Sequence, residues 1–282
     1  MNGSISCNSI RVLTTPVRSA DPDEPATTDR QERIPGFDQE RFSELCAVLI
    51  GAGGLNGETA EGLVRKGIGS LKLFDHDHVE LSNLNRQRFF TKDLGKNKAF
   101  ALARNLAQEA IRRTLLVGCS LSFQDAVRTG QDVACDVGVC GVDNNRTRLF
   151  AAEHFGRAGI PLIVTGVSND GGHGYAFVQE PRGACFGCAF PQALEAQRDP
   201  CPNTPAVKDI LKVVAGITLY ALDSLFMARA RTWNYKQVFL DGSVPERCLR
   251  IPPRSGCPVC GRALAASNVG KPRLSVGRRP AR

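Results

Sequence analysis

At 282 residues with 42% hydrophobic side chains, the chain can bury one α/β core with a small appendage, and it is too short for two large independent domains. A net charge of +8 does not make it a nucleic-acid binder, because residues 262–282 hold six basic and no acidic side chains and the remainder carries +2. The longest uncharged apolar stretch, Val213 to Leu222, is far below the ~20 residues of a membrane span, and eleven cysteines in a chain of this size without an apolar leader point to a reducing cytosol rather than a disulfide scaffold.

Residues 1–29 are rich in Ser, Thr, Pro and Asp without periodicity, which predicts a disordered segment. A short helix is predicted over Gln39 to Leu45, then a buried strand over Cys46 to Ile50. That strand runs into Gly51-Ala-Gly-Gly-Leu-Asn-Gly57 and a helical pattern reaching Lys66. Without Cβ atoms, Gly51, Gly53 and Gly54 let the backbone turn tightly and bring its amides to a phosphate at the positive end of the helix. An ordinary glycine-rich turn is the other reading of this stretch taken alone. A dinucleotide fingerprint would have glycine where this chain has Asn56, a residue that tolerates left-handed geometry and caps helices at such a junction. A second strand, Leu71 to Phe74, ends at Asp75-His-Asp77, placing an acid about 20 residues past the glycines where a ribose hydroxyl pair would be held.

A polar loop, Leu81 to Arg88, follows, and Gly95-Lys-Asn-Lys98 opens a helix running to about Ala110. Strands over Leu115 to Cys119 and Val133 to Gly141, a helix over Asn145 to Ala158 and a strand over Leu162 to Val164 keep the alternation. The order predicts an α/β fold whose mostly parallel sheet is covered by helices on both faces, with residues 30–170 as the nucleotide-binding domain. Residues 171–261 are expected to continue that domain as a small zinc-bound, substrate-binding part: a strand over Tyr175 to Val178, a long helix from Ala206 to about Arg231, and short strands over Gln237 to Leu240 and Cys248 to Ile251. A basic disordered tail, 262–282, completes the expected organisation.

Asp75, Asp77, Asn83, Arg86, Lys98 and Asp143 all fall at or just after the carboxyl ends of predicted parallel strands, the edge where such sheets bind ligands. Singly, each reads as solvated surface, a turn or a helix cap. Together, two cations and a metal ion offset the charge of a triphosphate and its pyrophosphate leaving group, which favours ATP over NAD. Cys185-Phe-Gly-Cys188 and Cys257-Pro-Val-Cys260 are two C-x-x-C pairs about 70 residues apart, a spacing suited to tetrahedral zinc on four thiolates, with a redox dithiol as the rival reading. Cys46, Cys135 and Cys140 lie in apolar runs and read as small buried hydrophobes, while His154 and His173 lack any partner pattern and read as structural.

GAGGLNG from Gly51, DHDHVELSNLNRQ from Asp75, GKNKA from Gly95 and GVDNNRTR from Gly141 together resemble the ThiF/MoeB/HesA family of adenylating enzymes, related to ubiquitin-activating enzymes, over roughly residues 30 to 261. The resemblance implies a Rossmann-like fold in which Asp75 is the ribose-binding acid, Asn83, Arg86 and Lys98 contact phosphates, and Asp143 is the magnesium-associated acid. It further implies a homodimer in which Arg30 reaches into the partner subunit's ATP site. The implied reaction is ATP- and Mg2+-dependent adenylation of a ubiquitin-like or sulfur-carrier protein ending in Gly-Gly, followed by acyl or sulfur transfer. Cys201, in a proline-rich loop before the long helix, is the candidate acceptor thiol, with Cys248 as the weaker alternative and a conjugating enzyme or sulfur donor as further partners. The segments Arg30 to Gln39 and Pro205 to Leu211 resemble bacterial ubiquitin-like conjugation members, with sulfur-carrier activation for thiamin or molybdopterin-type synthesis as the alternative. Outside this class stand an NAD-dependent oxidoreductase and a non-catalytic scaffold. Neither nucleic acid nor membrane is an expected partner.

Overall fold

The computed structural model describes residues 8–195 and 205–261. In chain order the elements are β1 (Ser9–Leu13), α1 (Asp29–Glu32), α2 (Gln39–Glu44), β2 (Cys46–Ile50), α3 (Gly54–Arg65), β3 (Ser70–Phe74), α4 (Lys98–Ala107), β4 (Leu115–Cys119), α5 (Phe123–Arg128), β5 (Val137–Cys140), α6 (Asn145–Ala158), β6 (Leu162–Val167), β7 (His173–Gln179), α7 (Phe186–Ala189), α8 (Gln192–Glu195), α9 (Lys208–Phe226), β8 (Tyr235–Phe239) and β9 (Arg247–Leu249). The described strands form one sheet in the order β1-β4-β3-β2-β5-β6-β7-β8-β9. At its centre β4, β3, β2, β5 and β6 are parallel.

Antiparallel strands extend this parallel core on both sides and make the whole sheet mixed. On the far side the chain leaves β6 and returns as β7 after a connection too short for a crossover helix, so the pairing must be antiparallel. On the near side the segment expected to be disordered supplies β1, which pairs antiparallel with β4 from Ser9 opposite Cys119 to Leu13 opposite Leu115. Its continuation is held by Thr14, whose backbone N–H reaches Thr114 O at 3.0 Å and whose hydroxyl donates to Arg112 O at 2.7 Å. The backbone groups of an open sheet edge fix this segment, and composition does not report them.

Successive residues of each central strand point to opposite faces. Leu49, Leu71, Leu73, Val139 and Ile163 face α3, α4 and α9 through Leu63, Val64, Leu102, Leu106 and Leu222. Val48, Ile50, Phe74, Cys140 and Val164 face α5 and α6, where Phe123 and Phe155 stack at 5.6 Å. Of the three cysteines expected in the core, only Cys140 is fully buried, with burial pushing its thiol up to about 11; Cys135 is half-buried and pushed up to about 12, and Cys46 is partly exposed.

Helix α9 is shorter than the pattern over 206–231 suggests. Met227 takes extended backbone and Ala228 N–H turns to Gly36 O, which ends the helix at Phe226. No helix among the described residues is long and apolar enough to cross a membrane.

Helix α4 lies directly on β4: a Cβ at Gly118 would come within 2.7 Å of the Ala99 carbonyl oxygen. Gly118→Ala is therefore expected to cost about 1–3 kcal/mol by forcing helix and strand apart. Denaturant unfolding of the variant checks this, and an unchanged midpoint refutes it.

Candidate active site

The chain builds β3 and β4 to one side of β2, then crosses back to place β5 and β6 on the other. That reversal opens a crevice between the carboxyl ends of β2 and β5. Gly51 leaves β2 at φ +90, a conformation that favours glycine, and its N–H donates to Phe74 O at 2.8 Å. Gly53 precedes the first turn of α3, and a Cβ there would meet no protein atom within 4 Å. Gly53 thus borders open space at the head of this 12-residue helix, and no side chain caps the helix there, the setting in which helix amides take an anion.

Asn56 stands in the first turn of α3 but does not cap it. It lies inside α3, fully buried, and its Nδ2 donates back to Ile50 O at 2.7 Å and Gly51 O at 2.8 Å. The residue in place of glycine therefore fastens helix to strand from within, without left-handed geometry or capping. Its Oδ1 lies where a Cβ on Gly141 would be, 2.5 Å away, so the end of β5 can carry no side chain there.

Asp75 closes the crevice on the β3 side. Its Oδ2 accepts from Ala52 N–H at 2.7 Å and its Oδ1 from Asp77 N–H at 2.9 Å. Burial outweighs these bonds and raises its pKa above the usual carboxylate range. Lys98, the first residue of α4, pairs with Asp77 Oδ2 at 2.9 Å. Asn97, which the sequence did not single out, organises this corner: its Nδ2 donates to Asp75 O and Asp77 O at 2.8 and 3.1 Å, while its Oδ1 caps α4 at Phe100 N–H. Its signal was its place before a periodic apolar run, a cap position.

The other expected residues are placed less uniformly. Asn83 is buried in a one-turn helix, where its Oδ1 accepts from Glu80 N–H at 3.0 Å. Arg86 donates to Ser82 O and Asn85 Oδ1 within its own loop, and its carbonyl oxygen lies 3.6 Å from the position of a Gly54 Cβ. Asp143 is exposed just past β5, beside Asn144, which caps α6. Arg30 does not join its own chain's crevice. It sits on α1 with its side chain 90% exposed, next to Gln31, which bonds Lys66 O at the opposite end of α3, about 18 Å from the glycine turn. Cys248 on β9 is four strands from β5, about 19 Å away. Cys201 lies outside the described residues.

The two C-x-x-C pairs converge. Cys185 Sγ is 3.7 Å from Cys188 Sγ and 3.5 Å from Cys257 Sγ, and Cys188 Sγ is 3.4 Å from Cys260 Sγ. Four sulfurs about 2.3 Å from a central ion would lie about 3.8 Å apart, so the cluster needs little adjustment to hold one. Arg254 N–H already points at Cys188 Sγ, 3.2 Å away, and burial pushes the Cys185 thiol up. One four-thiol cluster, rather than two separate pairs, fits a metal better than a redox dithiol. Asp75, His76 and Asp77 form a second group whose ligand atoms could converge on an ion. His154 packs edge-on against Phe123, and burial lowers its pKa; His173 stacks on Phe239. A cavity of about 750 Å3 lined by Arg18, Asp21, Glu24 and Arg112 shares no residue with the crevice.

Asp75 has a pH signature. Because its folded pKa is raised, the native state holds a proton that the unfolded chain releases, so its contribution favours folding in acid and is lost as pH rises above about 4. Unfolding free energy of the native protein relative to Asp75→Asn should fall over that rise. A difference that stays constant or grows refutes the assignment.

Comparison with known proteins bears on these residues. A profile of the ThiF family matches residues 28–259. Ubiquitin-like modifier-activating enzyme 5 of Culex quinquefasciatus is 32% identical over 173 residues, 57% of this chain but 43% of that enzyme, so the chain spans less than half of that relative. The sulfur carrier protein ThiS adenylyltransferase of Escherichia coli (strain K12) is 29% identical over 237 residues, 80% of this chain and 90% of that enzyme. A crystal structure of E. coli MccB with ATP shares the fold, at a TM-score of 0.65 and 20% identity over 79% of this chain and 68% of that one. The matched span contains the glycine turn, the Asp75 to Lys98 corner and Asp143, and by it the chain belongs to the ThiF family.

Proposed function

We propose that the protein is an adenylyltransferase that activates the C-terminal carboxylate of a ubiquitin-like or sulfur-carrier protein with ATP. The observation that carries this is the corner where the glycine turn, Asp75, Asp77 and Lys98 meet beside the open head of α3. Asp75 accepts from the ribose hydroxyls, and the first amides of α3 take the phosphates. Lys98 leaves Asp77, and Arg86 leaves its loop carbonyl, to stabilise charge as the α-phosphorus is attacked. The substrate carboxylate oxygen forms the new bond to that phosphorus while the bond to pyrophosphate breaks, giving an acyl adenylate. Asp143, exposed just past β5, would hold a magnesium ion, which would supply further neutralisation of the phosphates. Arg30, too far from its own crevice, serves a partner subunit's site in a homodimer.

A thiol then attacks the acyl carbonyl and AMP leaves. Cys201 is the acceptor within this chain, a role that rests on sequence alone. The finer reading is a bacterial ubiquitin-like conjugation system, supported by the resemblance of Arg30 to Gln39 and Pro205 to Leu211. Sulfur-carrier activation is the second reading, favoured by the relative named as a ThiS adenylyltransferase, 90% of which is matched. Residues 30–170 would form the nucleotide-binding part and 171–261 the zinc-bound, substrate-facing part. We place the protein in the cytosol, where the clustered thiols stay reduced.

ATP:pyrophosphate exchange with small proteins ending in Gly-Gly tests the first stage. Arg86→Ala and Lys98→Ala should each lower kcat about 10²–10³-fold, and Cys201→Ala should leave exchange intact. Exchange indifferent to both cations would overturn the mechanism. For the thiol cluster, elemental analysis should find zinc in the purified protein, with Cys188→Ser losing both the metal and several degrees of melting temperature. A metal-free protein whose melting is unmoved by a chelator would refute structural zinc.

A further inference from the structure

Glu58 takes no part in the adenylation chemistry above, yet its carboxylate is 6% exposed in the second turn of α3. Lys208 Nζ, at the first residue of α9, lies 2.7 Å from Oε1, an ion pair whose angles fall short of a hydrogen bond. Arg88, two residues past Arg86, brings Nη1 to 3.8 Å from Oε2. Arg88 also contacts Glu109 beyond the end of α4, and Arg65 Nη2 holds Glu109 at 3.1 Å. Charge thus alternates along Lys208, Glu58, Arg88, Glu109 and Arg65, across α9, α3, the Arg86 loop and the end of α4.

The same two elements meet one turn earlier. A Cβ at Gly54 would lie 2.5 Å from Leu211 Cδ1 of α9 and 3.6 Å from the Arg86 carbonyl oxygen. The head of α9 and the Arg86 loop therefore close on the glycine turn, and Glu58 holds both from beneath. With the proposed adenylation as its basis, we infer that Glu58 is a positioning residue: its shared carboxylate sets the Arg86 loop and the head of α9 against the glycine turn. It also offsets part of the charge of Arg88 and Lys208 beside a polyphosphate site. Turning both cations toward phosphate would leave Glu58 buried and unpaired, which is strongly unfavourable, so at least one of them stays with it.

The test uses Glu58→Gln, which keeps the volume and removes the charge, with Lys208→Met, Arg88→Gln and Glu58→Asp alongside. Amide hydrogen exchange on the full chain reads the positioning without any activity. Glu58→Gln should speed exchange about tenfold in both 81–88 and 208–212, Lys208→Met in 208–212 alone, and Arg88→Gln in 81–88 alone. In pyrophosphate exchange, Glu58→Gln should lower kcat by up to about 10²-fold while ATP affinity by calorimetry stays within a few-fold, with partial recovery in Glu58→Asp. Uniformly faster exchange across the chain, or none in either segment, overturns the inference. So does an unchanged kcat in an active enzyme. If the native protein shows no pyrophosphate exchange, the adenylation reading fails, and the segment-specific exchange pattern still decides the role of Glu58.

Discussion

The structure depends on how closely the backbone passes through the glycine turn. Gly51 is bonded to the end of β3, sits against Val142 beyond β5 and leads into a helix whose first residue touches α9. Val142 and Leu211 stand where side chains on Gly51 and Gly54 would have to be, so those two positions carry backbone alone. Gly53 between them borders open space, which suits a phosphate. Asn56 adds a lock: by bonding Ile50 O and Gly51 O from inside α3, it fastens the helix to the strand it follows.

Around that turn Lys98, Arg86, Arg88 and Lys208 each have a partner within the protein. Lys98 is held by Asp77, Arg86 by its own loop, and Arg88 and Lys208 by Glu58. Pairs of this kind hold side chains in defined places and can be exchanged for a more highly charged ligand, because a polyphosphate offers each exposed cation a stronger partner than one carboxylate. Glu58 differs in being almost wholly buried, so its two cations are poor candidates for exchange. On the proposed reading, positioning and phosphate binding are thereby divided between Arg88 and Arg86, neighbouring cations of the same loop.

The antiparallel half of the sheet supplies a different kind of rigidity. Strands β7 to β9 extend the parallel core, and the last described residues return to Cys185 and Cys188 through Cys257 and Cys260. Aromatic rings of Phe186 and Phe190, 4.6 Å apart, back the cluster on the α6 face. A metal there would close a loop of more than 70 residues, where cross-linking constrains the unfolded chain most.

What the sequence by itself determined is what short-range chemistry determines. The apolar runs over Cys46 to Ile50 and Leu71 to Phe74 read as buried strands, the glycines as a tight backbone path, Asp75 and Asp143 fell just past strand ends, and Lys98 fell at the start of a helix. The C-x-x-C spacing likewise announced paired thiols. Tertiary structure alone decided the rest, because each remaining feature needs a partner far away in the chain. Ser9 to Leu13 became a strand through the open edge of β4, and Asn56 took its role from the carbonyls ending β2. Arg30 was set apart from its own crevice by the length of α3, while Glu58 met a lysine 150 residues later. Composition and periodicity describe a residue's neighbours along the chain, whereas an ion pair, a sheet edge or a distance to a site exists only when the backbone has brought two remote segments together.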